Sequence, residues 1–167
     1  MAHTEFYVAP ATPHMPLSVR PLCRAFGGYR CNMKIKPTLT ADDARAVAAA
    51  AEAEALKNNW AVTLAVVDDG GHLLWLQRLD GAAPISAEIA PAKARTAALG
   101  RRESKIYEDM INGGRVSFLS APGLHGMLEG GVPIVVDGHF VGAVGVSGVK
   151  SAEDAQIARA GIAALSA

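Results

Sequence analysis

Two strand–turn–strand patterns, each hinged on aspartate and glycine, limit what this chain can fold into more than any other feature. The first runs from Trp60–Val67, apolar and rich in β-branched residues, through Asp68-Asp69-Gly70-Gly71 to His72–Leu79. The second pairs Val132–Val136 with His139–Val146 around Asp137-Gly138. Asp-Gly turns accept the positive φ that tight hairpins require, so both patterns predict antiparallel neighbours. Adjacent hairpins imply an antiparallel sheet, and such a sheet needs helices to cover it.

The covering helices are also legible. Thr40 can cap a helix, Asp43 three residues on completes a capping box, and Leu39 can staple onto Ala44. Ala44, Val47, Ala48, Ala51 and Ala55 then follow the spacing of one buried face, nearly all alanine, until Asn58-Asn59 ends it. A second helix is predicted over Ser86–Leu99, with Pro91 near its first turn, where a missing N–H costs least. Ser104 starts a shorter helix that Gly113-Gly114 stops. Phe118–Gly131 reads as a loop, with room for a short extra strand near Val116–Leu119. Ser151, with Asp154 three residues later, caps a last helix carrying Ile157, Ala158, Ile162 and Leu165. The order α-ββ-α(α)-ββ-α predicts an α+β domain of layered sheet and helices over residues 33–167.

Composition narrows the function classes. Half of the 167 residues are hydrophobic, enough for a core without disulfides or a structural metal. Sixteen Lys+Arg balance sixteen Asp+Glu, which argues against a basic nucleic-acid surface. No apolar run approaches the roughly 18 residues of a spanning helix, so no membrane partner is expected. Residues 1–32 stand apart: they hold Pro10, Pro13, Pro16, Pro21, Cys23 and Cys31 and show no amphipathic period. They read as a disordered N-terminal extension without an export signal, and Met33 opens a segment like an ordinary protein start. The two cysteines have no His or Cys near them to complete a zinc set, and from Met33 onward there is none, which fits a cytoplasmic protein.

Six segments, taken in order, resemble the GlcG/HbpS-like family. They are Ala65-Val-Val-Asp-Asp-Gly-Gly71, Gln77-Arg-Leu-Asp-Gly81, Ala92-Lys-Ala-Arg-Thr-Ala-Ala98, Gly130-Gly-Val-Pro-Ile134, Val141-Gly-Ala-Val-Gly-Val-Ser-Gly148, and Asp154 in the last helix. None is specific alone; their order carries the resemblance, which excludes residues 1–32. It implies a profilin-like three-layer α/β/α domain around a central antiparallel sheet, assembled as a homo-oligomer, a dimer or higher. Haem-binding proteins, a domain similar to the C-terminal part of PduO-type cobalamin adenosyltransferases, and proteins of catabolic operons belong to this group. The resemblance therefore implies a small-molecule ligand, with haem or another tetrapyrrole the named cofactor.

Three charged residues stand out as ligand contacts. Arg78 and Asp80 flank a strand end, and Lys93 lies among alanines, where a charged head needs a partner. Either they face an anionic ligand such as a propionate, or Lys93 pairs with Asp80 or Asp68 and fastens helix to hairpin. Gly130 and Gly131 leave backbone N–H groups free for an anion, or supply positive φ or close packing. Gly142, Gly145 and Gly148 read as marks of close approach by a helix or a subunit. His125, with Met127 nearby, is the loop histidine best placed to ligate haem iron. The resemblance adds Thr96, whose hydroxyl haem-binding members place near iron. The segment at Ser147 is not a GxSxG elbow, and no HExxH, HxH or phosphate-binding loop is present. The alternative is a cofactor-independent proton-transfer enzyme, isomerase or lyase in type, acting on a small keto or hydroxy acid. There His125 or Asp80 would be the base and Lys93 or Arg78 the electrostatic stabiliser.

Overall fold

Thr40 starts the first helix in the way its neighbours dictate. Its hydroxyl accepts the Asp43 N–H at 3.2 Å, and the Asp43 carboxylate accepts the Thr40 N–H at 2.8 Å. The helix, α1 (Ala41–Lys57), buries Ala44, Val47, Ala48, Ala51 and Ala55, the predicted stripe. These observations come from a computed structural model that describes residues 35–166, so the expectations for residues 1–32, both cysteines included, lie outside it.

Both hairpins form. β1 (Thr63–Asp68) turns into β2 (Leu73–Arg78), and β3 (Gly131–Val136) turns into β4 (His139–Ser147). All pairings are antiparallel, in a four-stranded sheet ordered β2-β1-β4-β3. The two inner strands β1 and β4 are almost wholly buried. Their side chains alternate between two cores. On one face Leu64, Val66, Val144 and Val146 pack with α1 and with Ile157 and Ala158 of α4 (Ser151–Ala163). On the other, Ala65, Val67 and Ala143 meet Ala90, Ala94, Ala97 and Ala98 of α2 (Ser86–Gly100). The result is the three-layer, profilin-like α+β architecture, with α2 on one side of the sheet and α1 and α4 on the other. Alanine and glycine let α2 lie unusually close. A Cβ added to Gly145 would sit 2.1 Å from the Ala90 carbonyl oxygen.

Local details differ from expectation at four places. Pro91 is the sixth residue of α2, not in its first turn, and the helix tolerates an amide that cannot bond back to Ala87. Val116–Ser120 is a 3-10 turn instead of a strand, its Phe118 ring packed edge-on at 5.5 Å against Tyr107. Ser104 precedes α3 (Lys105–Asn112) without capping it, because its hydroxyl is engaged elsewhere. In α4 the cap position is Lys150, whose N–H is accepted by Glu153 at 3.0 Å; Asp154 turns inward.

Candidate functional site

Glycine brings the segment before β3 down onto α2. A Cβ on Gly126 would lie 2.3 Å from the carbonyl carbon of Ala92 and 2.4 Å from the Lys93 nitrogen, so only glycine permits this approach. Four polar groups then tie the segment in place. The buried Thr96 hydroxyl accepts the Gly126 N–H at 3.3 Å. Ser104 Oγ donates to the Leu128 carbonyl at 2.5 Å and accepts the Gly131 N–H at 2.8 Å. Glu108 accepts the Glu129 N–H at 2.5 Å. Finally, the Gly130 carbonyl accepts the Val146 N–H at 3.0 Å.

Lys93 lies beneath this seam. Its Nζ donates to Asp154 Oδ2 at 2.8 Å and to the Val146 carbonyl at 3.0 Å. The pair is enclosed, with side-chain exposures of 4% and 2%. Burial raises the Asp154 carboxyl above its ordinary range, outweighing the hydrogen bond and charge of Lys93 and the Val149 N–H. Lys93 does fasten elements together, but its partner is neither Asp80 nor Asp68. Gly130 makes the pair possible: at φ +119 its missing Cβ would sit 2.9 Å from Lys93 Nζ and 2.9 Å from Asp154 Cβ.

With its backbone tied, the segment presents His125 and Met127 to a hollow of about 290 Å³. Ile111, Leu119 and Leu128 supply apolar lining, and Glu108 a carboxylate. His125 is exposed and Met127 buried. An imidazole and a thioether on apolar walls are donors of the kind that hold haem iron, so the residues present fit such a group. Among the described residues no cluster of three His, Cys, Asp or Glu could hold a bare metal ion.

Of the residues singled out from sequence, Lys93, Thr96, His125, Gly130 and Gly131 converge on this seam. Arg78 and Asp80 do not. Arg78 is exposed on β2, the sheet edge, two strands from the β4 carbonyl that anchors Lys93. Asp80 lines a separate hollow of about 370 Å³ with Glu52, Trp60 and Leu79. The Gly131 N–H, open to an anion on the sequence reading, is taken by Ser104. Asp154, Ser104 and Glu108 are the site's unforeseen members. Asp154 alone left a signal, a charge three residues before Ile157 and four before Ala158 on the stripe that α4 buries.

Comparison with known proteins bears on the family and the fold. The family described as haem degrading protein HbpS-like matches residues 39–163. Protein GlcG of Escherichia coli K12 is 61% identical over 115 residues, 69% of this chain and 85% of that protein. The crystal structure of a double mutant of HbpS from Streptomyces reticuli superposes with a TM-score of 0.71 at 32% identity, covering 87% of this chain and 99% of that one. The crystal structure of a PduOC:haem complex has a TM-score of 0.71 at 27% identity, covering 77% and 95%. On the family match and the identity to GlcG together, this chain belongs to the HbpS-like family.

Proposed function

We propose that this protein binds haem or a related tetrapyrrole in the hollow beside α3, with His125 as the iron donor and Met127 as the neighbouring soft donor. The observation that carries the reading is the pairing of those two side chains, on a tied backbone, at an apolar hollow. The haem complex of a structural relative supports it. At about 290 Å³ the hollow is near the lower end of ligand pockets, roughly 300–1,000 Å³, so it seats one edge of a macrocycle. Thr96 on α2 acts behind the hollow, its hydroxyl accepting the Gly126 N–H between His125 and Met127. The proton-transfer reading needs a base and a cation in one place. Here His125 is in one hollow, Asp80 in another, and Lys93 is enclosed with Asp154.

A second copy of the chain is the proposed protein partner. β2 is a sheet edge whose Leu73, Leu74 and Leu76 are 51%, 39% and 44% exposed, and such an edge pairs antiparallel with its own copy.

Haemin titrated into the full chain should give a saturable, shifted Soret band at about one per chain. His125→Ala should move or abolish that band. An additive, featureless spectrum from the native chain would overturn the proposal.

A further inference from the structure

We infer that Ser104 and the buried Lys93–Asp154 pair are positioning residues, holding the 126–131 backbone so that His125 and Met127 face the hollow; this rests on the tetrapyrrole reading above. Neither lines that hollow. Each acts through the segment's backbone. Ser104 Oγ donates to the Leu128 carbonyl and accepts the Gly131 N–H, while the Ser104 N–H donates to the Gly131 carbonyl at 2.9 Å. One serine therefore holds both ends of the stretch that follows Met127.

The ion pair holds the turn between them. The Gly130 carbonyl is bound to the Val146 N–H, and the Val146 carbonyl to Lys93 Nζ. Asp154 faces Lys93 with one oxygen and accepts the Val149 N–H at 3.2 Å with the other. Gly130, β4 and the start of α4 are thus fixed to one ammonium. At φ +119 the Gly130 Cβ position lies 2.8 Å from the Val146 oxygen and 2.9 Å from Lys93 Nζ, so this turn rests directly against the pair.

Stability alone is a poor reason for such an arrangement. A buried ion pair replaced by apolar groups of similar volume is often as stable or more so. What an apolar replacement cannot supply is direction: Lys93 Nζ aims its protons at two named oxygens. Donor groups at a ligand site lose effect when misplaced by about 1 Å, which is what a supporting shell of tied residues prevents.

The test uses the full chain with haemin as probe, and two variants. Ser104→Ala deletes one hydroxyl, and Lys93→Met with Asp154→Leu replaces the pair by apolar groups. Haemin affinity, Soret position and amide exchange at Gly126, Glu129 and Gly131 are compared with the native chain. We expect both variants to remain folded, to bind haemin at least about tenfold more weakly with a displaced Soret band, and to exchange those amides faster. Native affinity and a native Soret band in either folded variant overturn the inference for the residues changed, whatever the amide exchange does. Should one variant fail to fold, the other decides. Failure of the native chain to bind haemin instead overturns the reading of the site, and is seen before any variant is made.

Discussion

Lys93→Met isolates the cost of leaving Asp154 alone in the core. The methionine keeps the length of the stem and deletes the charge. The carboxylate, 2% exposed, would retain only the Val149 N–H at 3.2 Å. Removing one partner of a buried pair costs about 3–5 kcal/mol. That is a large share of the ~5–15 kcal/mol by which domains of this size are stable. The cost should depend on pH with a definite sign. Burial already raises the Asp154 carboxyl, and Lys93 is what pulls it down, so the variant raises it further. In the folded variant the carboxyl then holds its proton at pH values where the unfolded chain, near 3.9, has released it. The folded state binds the extra proton, so stability falls as pH rises through that window, by up to about 1.4 kcal/mol per pH unit. Urea denaturation followed by Trp60 and Trp75 fluorescence at pH 7 and pH 5 measures this directly. The loss should be largest at pH 7 and clearly smaller at pH 5. Adding Asp154→Leu should return most of it at pH 7. A loss below about 1 kcal/mol at pH 7, or one that is the same at both pH values, would refute the account of a buried, charge-compensated carboxylate.

Two other perturbations test the packing and the assembly. Gly145→Ala places a Cβ 2.1 Å from the Ala90 oxygen and 2.5 Å from the Ala94 nitrogen, so α2 must lift from the sheet. A loss of about 1–3 kcal/mol or more is expected by chemical denaturation. Leu76→Lys puts a charge on the exposed β2 edge and should shift the protein toward monomer in sedimentation velocity.

The parts of the fold that sequence reading reached are those whose cause is local. A capping box, an alanine stripe and an Asp-Gly hairpin each need only a few consecutive residues, and all of them form where expected. The misreadings also share a cause. Val116, Phe118 and Leu119 carry strand-like side chains, but a strand needs a neighbour, and a ring of α3 takes Phe118 first. Ser104 has the residue type of a helix cap, yet its hydroxyl finds partners at positions 128 and 131, more than twenty residues on. A hydroxyl can make either bond; only the tertiary fold decides between them.

Lys93 shows where the candidate site passed out of reach. The residue signalled a buried charge in need of a partner, and the signal was sound, but the carboxylates that the first hairpin offered were Asp68 and Asp80. Pairing depends on which element the ammonium reaches past, and α2 crosses β4, so the reachable carboxylate is the one at the start of α4. Sequence separation between the partners is 61 residues, well beyond any helical or hairpin spacing. Gly130 completes the argument. Its residue type admitted an anion nest, a positive φ or close packing, and the structure shows the last two, φ +119 with a Cβ position 2.9 Å from Lys93 Nζ. The cation expected to greet a ligand is enclosed with Asp154 instead.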